Sequence, residues 1–357
     1  MLRRGQRAWL WRGPRSTGRV QGVSCVTVEL PGIAEVRAAA SRLAAVAVRT
    51  PLLNFPWLDE HLGGRVFLKA ETFQRTGSFK FRGAWNRLVQ LSPAQRARGV
   101  VAFSSGNHAQ GVAEAARLLS MPATLVMPTD APFIKQAATR ALGGQVVLYQ
   151  RGLESREALA ARLAEQGGAV LVPAFDDPQV IAGQGTVGLE MAEDLTALGL
   201  TPDLAVICAG GGGLTAGCAL ALCETFPEVA VYTAEPEACD DHRRSFVSGQ
   251  RERNAEEGGS ICDALLAPMP GELTFAINAR RCRGGFAVSD EQVRATMRLA
   301  FERLKLVLEP GGAVALAALL YRVGPLDGRV AVATLSGGNV DPELFAACLS
   351  APASAVG

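Results

Sequence analysis

Short runs of β-branched residues alternate with alanine-rich stretches along almost the whole chain, and this alternation constrains the fold more than any other feature. The predicted strands are RVFLKAE, GVVAFSS, ATLVMP, QVVLYQ, AVLVPAF, DLAVICAG, VAVYTAE and RVAVATLSGG. The predicted helices include KFRGAWNRLVQL, NHAQGVAEAARLL, PFIKQAATRAL, SREALAARLAEQ, GQGTVGLEMAEDL and GLTAGCALALCET. Strands and helices that alternate in this way form parallel βαβ units, so we predict a three-layer α/β/α fold.

The composition is that of a soluble globular protein. Of 357 residues, 48% are hydrophobic and 20% are charged. No apolar run approaches the roughly 18 residues that a membrane-spanning helix needs. The net charge is +2, but residues 1–22 hold six arginines and no acidic residue, which leaves the rest of the chain with a charge of −4. A mildly acidic body argues against a nucleic-acid-binding surface.

We interpret residues 1–26 as a disordered, arginine-rich extension and expect two interleaved domains in the rest of the chain. A large domain is predicted over residues 27–95 and 175–350, and a small domain over residues 96–174. The eight cysteines form no CxxC pair and no zinc-binding spacing. We therefore expect buried free thiols of a reducing compartment.

The glycine-rich sequence AGGGGLTAG, residues 209–217, directly follows a predicted buried strand. In parallel α/β folds ligands bind where strands end and helices begin, and bare backbone N–H groups at a helix start suit a phosphate. An alternative is that Gly211, Gly213 and Ala216, with Glu235 about 20 residues later, form a dinucleotide-binding fingerprint. That interpretation predicts an NAD-dependent dehydrogenase.

A second strand-to-helix junction is SSGNHAQG, residues 104–111. Helix capping needs one serine or asparagine, whereas this turn has Ser104, Ser105 and Asn107, followed by His108. The excess of polar groups predicts that the turn binds a substrate carboxylate through hydroxyls and helix N–H groups.

Two further strand ends carry polar groups. LSGGN, residues 335–339, combines a hydroxyl with two glycines, which lets a flat ring approach the backbone. AEPEACDD, residues 234–241, contains Glu235, Asp240 and Asp241 within seven residues. Clustered oxygen ligands suit a hard cation, so we expect Mg²⁺ or Ca²⁺ here, although acidic loops are often simply solvated.

Lys80, in TGSFKFRGA, is one of four lysines in a chain that has 32 arginines. Lysine can lose its proton and act as an amine, whereas a guanidinium stays charged at any physiological pH. A lysine retained in such a chain is therefore a candidate amine catalyst.

The motifs GSFKFRGA, SSGNHAQG, VIAGQGTVGLE, the tetraglycine loop, EPGGA and LSGGN occur in this order. Together they resemble the fold-type-II pyridoxal-phosphate enzymes, in particular the serine/threonine dehydratase and serine racemase group. The resemblance covers about residues 28–345 and implies a tryptophan synthase β-like fold with pyridoxal 5'-phosphate as cofactor.

The resemblance implies roles for individual residues. Lys80 is the expected cofactor-bearing lysine, and Ser105 is the expected acid/base on the opposite face. The implied cofactor-binding residues are Phe79, Lys80, Asn107, Gly210, Gly211, Gly212, Gly213, Leu214 and Ser336. Arg156 joins Ser104, Ser105 and His108 as a substrate-binding residue. The implied divalent-metal ligands are Glu235, the carbonyl of Cys239 and Asp241.

The activity that the resemblance implies is dehydration of L-threonine, L-serine or a related β-hydroxy amino acid to a 2-oxo acid and ammonia. Serine racemase and 3-hydroxyaspartate dehydratase are alternatives within the family, and a catalytically silent binding protein is a third. Two positions depart from the family pattern: VPAFDD stands where His-Pro-Phe-Asp is usual, and Asp263-Ala264 stands where Asp-Gly is usual. The second lies in a segment that we expect near the active-site mouth, so it bears on the choice of substrate. We also expect a homodimer in the cytoplasm, with an amino-acid substrate and without nucleic-acid or membrane partners.

Overall fold

The computed structural model describes residues 29–255 and 258–350. The predicted arginine-rich extension, residues 1–26, lies outside the described residues. The strands are β1 (Leu52–Asn54), β2 (Arg65–Ala70), β3 (Val100–Phe103), β4 (Ala123–Pro128), β5 (Gln145–Tyr149), β6 (Val170–Leu171), β7 (Leu204–Cys208), β8 (Ala230–Pro236), β9 (Cys282–Val288) and β10 (Val330–Leu335).

The helices connect and cover these strands on both faces. They are α1 (Ile33–Leu43), α2 (Pro56–Leu62), α3 (Lys80–Leu88), α4 (Pro93–Arg98), α5 (Asn107–Leu118), α6 (Phe133–Ala141), α7 (Arg156–Gly167), α8 (Pro178–Ala197), α9 (Gly213–Thr225), α10 (Asp241–Ser248), α11 (Glu272–Arg281), α12 (Asp290–Leu299), α13 (Pro310–Ala318) and α14 (Pro342–Ser350). No helix in the described part of the chain is both long and apolar enough to cross a membrane.

The strands form two sheets. One has six strands in the order β1-β2-β10-β7-β8-β9, and the other has four in the order β5-β4-β3-β6. Every pairing is parallel except that of β1 with β2. The largest apolar cluster packs around the six-stranded sheet, and a second packs around the four-stranded one. The predicted α/β class with parallel sheets is confirmed.

Two strands differ from the sequence prediction. β6 has two residues, Val170 and Leu171, whereas AVLVPAF predicted seven, because the chain turns away before Ala174. β9 was not predicted, since Gly284 and Gly285 interrupt its apolar pattern. A Cβ on Gly285 would lie 2.3 Å from Thr233 Oγ1 on the neighbouring strand, so the glycine permits close pairing there.

The four-stranded sheet lies entirely within residues 100–171, inside the predicted small domain. The six-stranded sheet uses strands from both sides of that segment. The domain boundaries at residues 95 and 174 stay a prediction.

Helix α8 packs against its neighbours through glycines of the VIAGQGTVGLE motif. A Cβ on Gly183 would lie 2.7 Å from Gly83 Cα in α3. A Cβ on Gly188 would lie 2.6 Å from Cys218 Cα in α9. Backbone therefore meets backbone on both sides of α8, which places the N-terminus of α3 at a fixed position relative to that of α9.

Two buried cations, Arg82 and Lys69, pair with Glu190 of α8. Arg82 is 1% exposed and is paired with Glu71 at 2.8 Å and with Glu190 at 2.7 Å. Lys69 Nζ is 2.7 Å from a Glu190 carboxylate oxygen and donates to the Thr50 carbonyl at 2.6 Å. Charges this deeply buried need such partners, so this network is part of the core.

Candidate active site

A cleft opens where the carboxyl ends of the two sheets face each other. Its walls combine residues that the sequence places more than 200 positions apart. The predicted site residues that line it are Phe79, Lys80, Ser104, Ser105, Asn107, His108, Arg156, Gly210, Gly211, Gly212, Gly213, Leu214 and Ser336. The fold thus brings together all the predicted cofactor- and substrate-binding residues.

Lys80 begins α3, and its Nζ donates to the Ala174 carbonyl at 3.0 Å. The same Nζ lies 5.2 Å from the centre of the Phe79 ring. Burial lowers the pKa of Lys80 to about 8, although the nearby Cys208 and Glu309 side chains oppose the shift. The amine therefore loses its proton more readily than that of an exposed lysine, as a nucleophile or base requires.

The glycine loop lies between β7 and α9. Gly212 caps α9 with a φ of 92°, a left-handed conformation that favours glycine. A Cβ on Gly211 would lie 2.3 Å from the Phe175 ring, so the loop also accommodates an aromatic wall. The N–H groups at the start of α9 are not used within the helix, and they are suited to bind an anion.

The polar turn lies between β3 and α5. Ser105 Oγ donates to the Asp263 carbonyl at 3.2 Å, and Ser104 Oγ accepts from the Gly106 N–H at 3.0 Å. His108 Nε2 lies 3.3 Å from the Val172 carbonyl. Burial and the Lys80 charge lower the pKa of His108 to about 3, so this imidazole is neutral at physiological pH.

Asn107 and Ser336 lie on the cleft walls near Phe79. The Asn107 side chain donates to the Glu309 carboxylate and accepts from Asn339 Nδ2 at 2.9 Å. The Phe79 N–H donates to the Ser336 carbonyl at 3.1 Å, and this contact holds α3 next to the LSGGN segment. These contacts fix the Asn107 amide and the Ser336 backbone at the cleft.

Arg156 lies at the mouth of the cleft, with a second arginine that the sequence analysis did not select. Arg156 Nε pairs with Glu157 at 2.8 Å, and the guanidinium lies 5.5 Å from the centre of the Phe103 ring. Arg151 also lines the cleft, and its Nε contacts both carboxylate oxygens of Asp130 at 2.9 and 3.1 Å.

The predicted metal-binding residues do not line this cleft. The Glu235 carboxylate accepts the N–H groups of His242 and Arg243, each at 2.8 Å. Asp241 Oδ1 accepts from Asn254 Nδ2 at 2.8 Å, while its buried Oδ2 has no hydrogen-bond partner within the described residues. Within those residues no three His, Cys, Asp or Glu side chains are grouped to hold a metal ion. Metal binding stays a prediction.

The sequence analysis missed three charged residues beside the cleft: Lys135, Asp263 and Glu309. Lys135 Nζ is 2.8 Å from carboxylate oxygens of both Asp263 and Glu309. The scarcity of lysine, which singled out Lys80, applies equally to Lys135. Glu309 belongs to the EPGGA motif, and Asp263 was noted only as part of a departure from the family pattern.

The cleft fits the expected cofactor. It combines an amine whose pKa is lowered, a glycine loop at a helix start, and separate amide and hydroxyl groups. Lys80 would carry the aldehyde carbon, the glycine loop would hold the phosphate, and Asn107 and Ser336 would contact ring heteroatoms. Such an arrangement can bind an amino acid and withdraw electrons from its Cα.

Comparisons with known proteins agree with this geometry. A family model described as "Pyridoxal-phosphate dependent enzyme" matches residues 44–337. The chain is 45% identical to the L-threo-3-hydroxyaspartate ammonia-lyase of a Pseudomonas species, covering 90% of this chain and 99% of that protein. It is 40% identical to the serine racemase of Schizosaccharomyces pombe, covering 90% and 98%.

Among solved structures, the chain is similar to maize serine racemase, with a TM-score of 0.84 and 34% identity over 89% of this chain and 97% of that one. It is also similar to a crystal structure of threonine deaminase, with a TM-score of 0.82 and 43% identity. That similarity covers 87% of this chain and 99% of the other. The family and the fold expected from the motifs are therefore confirmed, and the phosphate interpretation of the glycine loop is favoured over the dinucleotide one.

We predict that the Lys80 amine titrates near pH 8 in cofactor-free protein, because burial lowers its pKa from 10.5. Competitive acetylation followed by peptide mass spectrometry measures this, with the exposed Lys305 as the internal reference. Reactivity of Lys80 should rise as the pH passes 8 and level off above it, since the neutral amine is the reacting form. A reactivity that continues to rise beyond pH 10 would contradict the prediction.

Proposed function

This chain belongs to the family of pyridoxal-phosphate-dependent enzymes, and we propose that it is an ammonia-lyase that converts a β-hydroxy amino acid into a 2-oxo acid and ammonia. The observation that carries the proposal is the position of Lys80, whose amine has a lowered pKa and shares one cleft with the glycine loop and the polar turn. L-Threonine and L-serine are the first substrates to test.

When bound, the cofactor supplies an electron sink that makes the substrate Cα proton acidic. Ser104, Ser105 and the N-terminus of α5 bind the substrate carboxylate, with Arg156 at the mouth of the cleft. The amine of Lys80 removes the Cα proton and passes a proton to the β-hydroxyl, which leaves as water. Addition of water to the released enamine then gives the 2-oxo acid and ammonia.

Two hydroxyl groups influence which reaction follows proton removal. Ser336 offers a neutral hydroxyl at the expected ring nitrogen, and a neutral group withdraws electrons less than a charged one does. Ser105 is the acid/base that we assign to the face opposite Lys80, where it would return a proton to Cα and produce the D-amino acid. A serine hydroxyl has a high pKa and is a poor general acid, so we expect elimination to exceed racemisation.

We predict that wild-type protein with L-serine releases pyruvate faster than it forms D-serine. Lys80→Ala should lose both activities, because the base that removes the Cα proton is gone. Ser105→Ala should keep much of the pyruvate formation and lose D-serine formation. A 2-oxo acid assay combined with chiral chromatography measures both products.

Borohydride reduction of the holoenzyme should attach the cofactor to the peptide that contains Lys80. Full turnover by Lys80→Ala would refute the proposed function, and D-serine formation by Ser105→Ala would refute the role of Ser105.

A second candidate substrate class, the 3-hydroxyaspartates, is favoured by the two arginines at the mouth of the cleft. Arg151 and Arg156 follow the end of β5, and each is paired with a largely exposed carboxylate, 61% exposed for Asp130 and 57% for Glu157. Exposed ion pairs contribute little and can be exchanged for a substrate carboxylate. The similarity to a hydroxyaspartate ammonia-lyase supports this candidate.

We predict that Arg151→Gln lowers kcat/KM for L-threo-3-hydroxyaspartate by about ten- to hundredfold, the loss expected for one charge-assisted hydrogen bond. Activity with L-threonine should change little, because threonine has no second carboxylate. The matched control is Arg140→Gln, since Arg140 is an exposed arginine on α6. An equal loss with both substrates would exclude Arg151 as a specificity residue.

We propose that Glu235, the Cys239 carbonyl and Asp241 bind a divalent cation, Mg²⁺ or Ca²⁺. Burial and the charge of Asp241 raise the pKa of Glu235 well above its usual range, and burial raises the pKa of Asp241 to about 7. A divalent cation would allow both carboxyls to ionise in the interior. The Oδ2 of Asp241 is buried and has no hydrogen-bond partner among the residues that the structure describes, which supports this assignment.

We predict that Mg²⁺ or Ca²⁺ raises the unfolding temperature of chelator-treated protein, by mass action on the native state. The increase should shrink as the pH falls below 7, because protons then compete with the cation for Asp241. Asp241→Asn should abolish the increase. Asp240→Asn is the control, because Asp240 is already paired with Arg243 and Arg244. Identical melting curves with and without the cation would show that the acidic loop does not bind it.

Three expectations remain. We propose that residues 96–174 form the small domain, which the four-stranded sheet within that segment supports. A homodimer and a cytoplasmic location stay predictions.

A further inference from the structure

Lys135 is a fully buried lysine whose amine is held between two carboxylates. It lies on α6, with 1% of its surface exposed. Its Nζ is 3.0 and 2.8 Å from the two oxygens of Asp263, and 2.8 Å from Glu309 Oε2. Burial lowers the pKa of Lys135, but the two carboxylates more than offset that effect and raise it, so the amine is charged.

The two carboxylates come from loops around the six-stranded sheet, whereas Lys135 belongs to the unit of the four-stranded sheet. Glu309 immediately precedes α13, and Asp263 lies in a 3₁₀ turn that lines the cleft. Lys135 therefore joins the two units of the molecule through ion pairs at one side of the cleft.

The contacts of the polar turn converge on the same two acidic residues. Ser105 Oγ donates to the backbone carbonyl of Asp263, and Asn107 donates to the Glu309 oxygen that Lys135 does not contact. Removal of the Lys135 charge would leave the buried Glu309 carboxylate and the partly buried Asp263 carboxylate without their cation, which is unfavourable unless one takes a proton or moves. Either change would disturb the partners of Ser105 and Asn107.

The stem of Lys135 also supports the polar turn directly. A Cβ on Gly106 would lie 2.2 Å from Lys135 Cδ, so the lysine stem lies against the backbone between Ser105 and Asn107. A thin stem with a compact charge fits this space, whereas arginine carries a broad planar group. This explains why a chain rich in arginine has a lysine at this position.

We propose that Lys135 is a positioning residue, which ties the four-stranded unit to Asp263 and Glu309 and thereby holds Ser105 and Asn107 in place at the cleft. The effect on cofactor and substrate rests on the proposed function, whereas the effect on the polar turn does not.

The test compares Lys135→Met with Lys69→Met. Lys69 is the matched control, because it is an equally buried lysine that pairs with Glu190 and does not line the cleft. Both variants should unfold at a lower temperature than the wild type. In cofactor-free protein, Lys135→Met alone should speed hydrogen exchange in peptides covering residues 104–111.

Titration with pyridoxal phosphate, followed by absorbance, gives a second readout. Lys135→Met should weaken cofactor binding by about tenfold or more, as expected when a charged hydrogen-bond partner is lost, and Lys69→Met by no more than about twofold. If the two variants behave alike in both exchange and cofactor affinity, Lys135 is a structural residue and the proposal fails.

Asp263→Asn keeps the proposal testable if Lys135→Met does not fold, because Asp263 is 23% exposed and Lys135 retains Glu309. Its peptides covering residues 104–111 should exchange faster than those of the wild type, and unchanged exchange would count against the proposal. A wild type that binds no pyridoxal phosphate would refute the proposed function instead, while the exchange data would still decide the role of Lys135.

Discussion

The parallel arrangement of the strands determines where the chemistry of this protein can occur. All strands of a parallel sheet end at the same edge, so the loops that leave those ends are neighbours whatever their separation in sequence. Here two such edges face one another across a cleft. Lys80 follows β2, Ser105 follows β3, Gly210 follows β7 and Ser336 follows β10. The site is therefore assembled by topology, and each loop contributes a few groups.

Much of this could be predicted from the sequence, because the motifs occur at places where local pattern and final structure agree. The strand ATLVMP and the helix GLTAGCALALCET have the predicted bounds, 123–128 and 213–225. The prediction failed where tertiary contacts override the local pattern. β9 contains two adjacent glycines that are tolerated because its neighbour approaches closely, and AVLVPAF leaves its sheet early so that the Ala174 carbonyl can meet Lys80.

Charged residues inside the molecule were the hardest to predict. On a helix such as α6, a lysine is normally assigned to the solvent-facing side, and the partners of Lys135 lie 128 and 174 residues away. No local pattern indicates such an ion pair. Composition gave the better signal: of the four lysines, Lys69 and Lys135 are buried in ion pairs and Lys80 lines the cleft. In a chain that otherwise uses arginine, three of the four lysines thus lie where a slender amine fits, and only Lys305 is exposed.

The glycines of α8 affect how accurately Lys80 and the glycine loop are positioned relative to each other. Helix α3 begins at Lys80 and α9 begins at the glycine loop, and α8 lies between them with Gly183 and Gly188 against their backbones. Side chains adapt by changing rotamer, but touching backbones have no such freedom. The distance between the Lys80 amine and the glycine loop is therefore held nearly constant. A single methyl group added to α8 would displace the start of α3 or of α9 by a fraction of an ångström. Misalignment on this scale can slow a reaction while the fold survives.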